Sequence, residues 1–189
     1  MFRDSKQLTK TSYILIALLK AGDVMYRAQL RRRLSYAVYP EYRNYLAGQR
    51  LDIRLSQLAR AGWIRMEYKE TNKILKLTRK GELEALFQKA RHLNKSGPWD
   101  GKWRMVVFDI PEHARGLRDQ LRKLLSSFGF KALQASVYIY PFPLNGTAVE
   151  FLKQSGLIRY IRMAKIDSFD DDSDIRKLFR KLIRISNGR

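Results

Sequence analysis

The segment KWRMVVFDIPEHARGLRDQLRKLLSSFGFKALQASVYIYPF, Lys102 to Phe142, decides the fold. Its first part, Trp103 to Ile110, is an apolar, β-branched run bounded by Gly101 and Pro111. It is too short for a bilayer and reads as a buried strand. A helix is expected next. Pro111 is tolerated only in a helix's first turn, Glu112 suits the positive end of the helix dipole, and Leu117, Leu121, Leu124, Leu125 and Phe128 recur at helical spacing. Gly129 ends that helix. Phe130 to Phe142 is rich in Val, Ile, Tyr and Phe and closes on Pro141 and Pro143, so a second strand region follows, bent or bulged near Gln134 to Ser136.

Working outward toward the C-terminus, Thr147 to Gln154 reads as a short helix ended by Ser155 and Gly156, and Leu157 to Phe169 alternates as a strand. The resulting β-α-β-β-α-β order specifies a ferredoxin-like sheet with its helices on one face. Such a sheet leaves an edge open, which a second copy of the chain would cover. The tail opens with Asp170, Asp171, Asp172 and Asp174, then places Ile175, Leu178, Phe179, Leu182 and Ile185 on one side of a basic amphipathic helix. That helix is expected to dock on the sheet or on a partner subunit rather than on a membrane.

Upstream, His92 to Gly101 combines Asn, Ser, Gly and Pro with little periodicity and marks a boundary. Residues 1–93 form one expected domain, 94–101 a linker and 102–189 a second domain. Trp99 and Trp103 at the end of the linker are expected to pin the two domains together. In the first domain, Thr9 to Lys20 forms a helix with Leu15, Leu18 and Leu19 on its apolar stripe. Tyr26 to Leu34 forms a second, studded outside by Arg27, Arg31, Arg32 and Arg33. Tyr36, Tyr39, Tyr42 and Tyr45 surround Pro40 and are expected to pack rather than to stack on unpaired bases.

A third helix, Leu46 to Ala61, buries Leu51, Leu55 and Leu58 and ends at a left-handed Gly62. Arg50, Arg54 and Gln57 fall on another of its stripes, at i, i+4 and i+7. Trp63 to Tyr68 and Ile74 to Leu77 alternate as strands around a polar turn at 69–73, and Thr78 caps a fourth helix running to Leu93. Three helices followed by a β-hairpin is the order of a winged helix-turn-helix, whose third helix enters the major groove of duplex DNA. Arg can bond a guanine edge with two parallel donors and Gln can pair with adenine, which makes Arg50, Arg54 and Gln57 the candidate base readers. Arg31, Arg32, Arg33, Lys69 and Lys73 are the candidate phosphate contacts. The fold class is therefore α+β.

The charge agrees with a polyanionic partner. The 189 residues carry a net charge of +20, with 21 Lys/Arg against 8 Asp/Glu before residue 96 and 17 against 10 after it. The N-terminal half is the stronger anchor. Charge alone would also suit a ribosomal protein or a membrane-surface protein. There is no cysteine, which excludes disulfides, thiolate metal sites and cysteine nucleophiles. Met1 to Lys10 lacks the apolar core of a signal peptide, so a cytoplasmic protein without membrane association is expected.

Phe108-Asp109-Ile110 and Gln134-Ala135-Ser136-Val137 resemble the pattern of the small CRISPR-associated adaptation nuclease, the non-integrase partner of the CRISPR integrase. The wider string Trp99-Asp100-Gly101-Lys102-Trp103-Arg104, followed by Phe108 to Glu112, is more similar to PaaX-type bacterial transcriptional repressors, in which the same domain follows a winged helix. Leu58-Ala59-Arg60-Ala61-Gly62-Trp63-Ile64 and Leu77-Thr78-Arg79-Lys80-Gly81 also resemble winged helices. The repressor resemblance extends over nearly the whole chain, the nuclease one over its second half. Both imply a homodimer. PaaX-type repressors usually continue into a further helical domain tied to the effector response; the expectation here is a chain without it, and no acyl-CoA ligand is carried over.

Asp109 is the one candidate catalytic and metal-ligating residue. The nuclease resemblance implies that two copies across a dimer axis share a Mg²⁺ ion there. Its three-residue spacing from Glu112 fits a capping box equally well. His92 and His113 have no partner at ligand spacing. The expected function is sequence-specific binding of double-stranded DNA by a homodimeric transcriptional regulator, with no cofactor. The alternatives are a Mg²⁺-dependent nuclease of CRISPR adaptation, or a non-enzymatic scaffold that holds DNA for a partner integrase.

Overall fold

A computed structural model describes residues 9–21, 24–25, 49–69, 72–93 and 98–187. The chain divides into two compact units, Met1–His92 and Leu93–Arg189. Among the described residues no helix is long and apolar enough to cross a membrane.

The first unit holds α1 (Lys10–Ala21), β1 (Val24–Met25), α2 (Gln49–Arg60), β2 (Ile64–Lys69), β3 (Asn72–Leu77) and α3 (Arg79–Leu93). Thr9 starts α1 by accepting the Ser12 N–H on its hydroxyl at 3.1 Å. Tyr13, Ile14, Leu15 and Leu18 of α1 then pack with Leu51, Leu55 and Leu58 of α2 and with Ile64, Leu75 and Ala85. In α2 these positions repeat every three or four residues and turn one face inward, whereas α1 is buried on all sides over Ser12 to Ile16. The strands form an antiparallel sheet in the order β1-β3-β2. Ile64 pairs with Leu77 and Lys69 with Asn72, which makes β2 and β3 a hairpin directly after α2. The expected helix over Tyr26 to Leu34, with Arg31, Arg32 and Arg33, lies outside the described residues, as does the tyrosine series.

The second unit runs β4 (Trp103–Phe108), a 3-10 turn (Glu112–Ala114), α4 (Arg115–Ser127), β5 (Lys131–Gln134), β6 (Val137–Tyr140), α5 (Gly146–Gln154), a second 3-10 turn (Leu157–Tyr160), β7 (Ile161–Ile166) and α6 (Ser173–Ser186). Every pairing is antiparallel and the order is β5-β6-β4-β7, the split βαβ arrangement of a ferredoxin-like sheet. By register, Val106, Phe108, Tyr138, Tyr140 and Ile161 share one face, and all are buried. On the other face Trp103 and Ile139 are buried, Met105, Val107 and Val137 are half-buried and Ala164 is exposed.

Two local expectations are corrected, and a third is made definite. Pro111 does not open an α-helix: its ψ of 150° keeps it extended, its carbonyl accepts from Ala114 N at 2.9 Å, and α4 begins only at Arg115. The stretch after Phe130 supplies the two middle strands of the β-α-β-β-α-β order as a hairpin that turns at Ala135-Ser136, with an irregular register between Ala132 and Gln134. Leu157–Tyr160 is a 3-10 turn, and the strand starts at Ile161.

Trp99 and Trp103, expected as a pin between domains, pack within the second unit. Trp103 is fully buried, 5.0 Å from Trp99 and 5.8 Å from Phe179 of α6 between ring centroids. Its indole N–H donates to Asp172 Oδ2 at 3.0 Å, and Arg176 Nε donates to Asp172 Oδ1 at 2.6 Å. The hydrogen bond from Arg176, and after it the one from Trp103, hold the Asp172 carboxyl below its ordinary pKa against partial desolvation. The Arg176 guanidinium lies 4.8 Å from the Trp99 ring centroid, and Trp99 N donates to Asn187 Oδ1 at 3.1 Å. The acidic turn and the WDGKWR string thus fasten α6 to the start of β4.

Candidate nucleic-acid interface

The best-formed candidate surface is the solvent side of α2. With Leu51, Leu55 and Leu58 turned inward, helical periodicity leaves Ile53, Arg54, Gln57 and Arg60 exposed. Arg54 Nη1 donates to Gln57 Oε1 at 3.2 Å, so the two side chains meet one turn apart on the helix. Arg50 stands one turn earlier, at the second position of α2. Arg54 retains its other guanidinium nitrogens, and Gln57 its amide N–H₂, for an outside partner. Gln57 Oε1 accepts from Arg54 through one of its two lone pairs, so Gln57 can steady Arg54 and still offer the acceptor and donor that adenine pairing uses.

The end of α2 is fixed by its sequence. Gly62 adopts φ 71°, Trp63 N donates to Leu58 O at 2.9 Å and Gly62 N to Ala59 O at 2.9 Å, a Schellman turn that closes the helix and sends the chain into β2. The start of α3 clamps this turn. Thr78 Oγ1 donates to Gly62 O at 2.6 Å and accepts from Gly81 N at 3.1 Å, while Lys80 Nζ donates to Ala61 O at 2.9 Å. A Cβ on Gly81 would lie 1.8 Å from Trp63 O, so only glycine fits there. The Thr-Arg-Lys-Gly string therefore holds the angle between α2 and the hairpin.

On the hairpin, Arg65 and Lys76 face each other in register, a like-charge pair that would repel. Glu67 lies between them, 2.9 Å from Arg65 Nε and 3.0 Å from Lys76 Nζ, and neutralises much of that charge. Lys69 and Lys73 stand at the tip end of the strands, paired in register with Asn72 and Tyr68. Arg31, Arg32 and Arg33 lie outside the described residues. Sequence reading passed over Ile53, although its position beside Arg54 and one turn before Gln57 was a signal for the same face.

Asp109 lies at the exposed end of β4, where its backbone N–H donates to Tyr160 O at 3.1 Å. The capping-box reading does not hold. The turn after Pro111 has no side-chain cap, and Glu112 pairs with Arg118 Nη1 at 3.1 Å. Arg118 Nη2 in turn donates to Ile110 O at 2.6 Å. Among the described residues no three His, Asp or Glu side chains gather as metal ligands.

Residues 96–178 match the family model of the PaaX protein central Cas2-like domain. The match takes in the WDGKWR string and the whole ferredoxin-like sheet and ends inside α6, somewhat less than half of the chain. A comparison with curated proteins gives no match.

Proposed function

We propose that this chain is a PaaX-type transcriptional regulator that binds double-stranded DNA in a sequence-dependent manner as a homodimer in the cytoplasm. In this reading residues 1–93 form a winged helix, 94–101 a linker and 102–189 the dimerisation domain. One observation carries it: an exposed, hydrogen-bonded Arg54–Gln57 pair on the helix directly before a β-hairpin, with the junction clamped from α3. A two-donor guanidinium held by a neighbour is suited to the O6 and N7 acceptors of guanine. Arg50 extends the same stripe. Arg31, Arg32, Arg33, Lys69 and Lys73 contact phosphates, and the surplus positive charge supports their role. The match to the PaaX central domain supports the regulator class over a nuclease or an integrase scaffold. The reading requires no metal.

Selection of bound sequences from a random duplex pool tests it. The expected result is a two-fold symmetric site with half-sites about one helical turn, or a multiple of it, apart. Recovery of no shared sequence would overturn the reading.

A further inference from the structure

Ile53 is 58% exposed, a large branched side chain in water on the face that also carries Arg54 and Gln57. Ile53 is not among the described core side chains of its unit, which α2 reaches through Leu51, Leu55 and Leu58. Its β-branch also makes it a poorer helix former than the straight-chain residues that usually occupy such positions. Exposed apolar side chains scattered singly are ordinary on protein surfaces. Ile53 differs in its company. Its neighbours on the helix bear the donors that recognise base edges, and the major-groove edges of the four bases include one methyl group, at C5 of thymine.

We infer that Ile53 reads the 5-methyl group of a thymine adjacent to the base pair contacted by Arg54. The inference rests on the proposed DNA-reading role of α2 and specifies what that face recognises. One helical turn advances about 5.4 Å, against about 3.4 Å between stacked bases, so side chains one residue or one turn apart on the helix meet neighbouring base pairs. Seating the Ile53 side chain on the methyl removes apolar surface of both from water. Cytosine in the same place presents no methyl, and its exocyclic amine would face a side chain unable to accept its hydrogen bond.

The test replaces thymine by deoxyuridine, one position at a time, in the site selected from the random pool. This deletes the methyl and leaves every hydrogen-bonding group in place. Wild-type protein is expected to lose about fourfold in affinity at one thymine per half-site, the equivalent of one buried methyl group, and little elsewhere. The Ile53→Ala protein is expected to lose about the same on the unmodified site and nothing further on the deoxyuridine site. Alanine is a better helix former than isoleucine, so a folding defect would not imitate this result. Two outcomes overturn the inference while leaving sequence-specific binding intact: wild type indifferent to every deoxyuridine, or a deoxyuridine loss that persists in Ile53→Ala. Absence of any preference for the selected site over random duplex would instead remove the reading on which it rests, and the inference with it.

Discussion

Arg54 Nη1 donates a hydrogen bond to Gln57 Oε1 at 3.2 Å across one turn of α2. The contact is exposed, so its own contribution to stability is small; its consequence is orientation. A guanidinium that arrives already aligned loses less rotamer freedom on binding. The pair should therefore behave as one unit. Arg54→Ala is expected to reduce discrimination between the selected site and random duplex by about 1–3 kcal/mol, and Gln57→Ala by a smaller amount. The double variant should lose less than the sum. A double-mutant cycle on binding free energies checks this, and strict additivity would show that Gln57 acts independently of Arg54.

In the proposed reading Lys69 and Lys73, at the tip end of the hairpin strands, contact phosphates rather than bases. Replacing either with Ala should weaken binding to specific and random duplex by similar factors and lower the slope of log affinity against log salt by about one. A change confined to the specific site would move them to base recognition. Titrations at several salt concentrations separate the two cases.

Gly81→Ala should be strongly destabilising, by about 1–3 kcal/mol or more, because the new Cβ would lie 1.8 Å from the Trp63 carbonyl oxygen. The rigid backbone on one side and the buried face of α3 on the other leave little room to shift. Gly116→Ala is the control: nothing lies within 4 Å of its Cβ position, and the helix should gain a few tenths to about 1 kcal/mol. Thermal melts of the two variants should move in opposite directions. Since Gly81 supports the turn after α2, a DNA-binding defect is expected to accompany the lower Tm.

Asp100 accepts two hydrogen bonds from Arg104, at 2.7 and 2.6 Å, and one from Lys102 N at 3.1 Å. The Arg104 hydrogen bond is the chief reason that its pKa falls to about 2, with burial opposing it. A carboxyl depressed on folding stabilises above the unfolded value of about 4 and loses that contribution as pH falls toward 2. Asp100→Asn should therefore lower stability at neutral pH, and the gap from wild type should close between about pH 4 and pH 2. The carboxylate is half exposed, so solvent screening keeps the effect modest. Denaturant titrations across that range test it; a gap independent of pH would assign the loss to altered turn geometry.

Asp109→Ala is expected to leave folding and DNA affinity unchanged, because the Asp109 contact to Tyr160 comes from its backbone N–H. Purified wild-type protein with labelled DNA or RNA and Mg²⁺ should give no cleavage above that of the variant. Metal-dependent cleavage lost in Asp109→Ala would shift the function to the nuclease class.

Much of the second unit was legible because apolar residues set the period. Leu121, Leu124, Leu125 and Phe128 could only be one helix face, and Trp103 to Phe108 only a strand. The break near Gln134 to Ser136 was legible, but its form as a tight turn at Ala135-Ser136 was not, since Ser136 alone favours a turn there and no Gly, Pro or Asn marks it. Pro111 misled for a related reason: its fixed φ suits a first helical turn, but ψ remains free, and here it is extended. On α2 the stripe of Arg50, Arg54 and Gln57 followed from spacing alone. That Gln57 turns its oxygen to Arg54 did not, nor did the partners of Trp99 and Trp103 on α6 and at its two ends, about 70 to 90 residues further along. Such contacts depend on tertiary placement, which local pattern does not encode.

The most direct measurement is the ratio of affinities for the selected duplex and for random duplex of equal length, at one salt concentration, in wild-type and Arg54→Ala protein. Wild type should prefer the selected site by a factor of about 10³ or more, and Arg54→Ala should lose at least about tenfold of that preference while keeping most of its affinity for random duplex. An unchanged ratio in Arg54→Ala would contradict the assignment of base reading to the exposed face of α2.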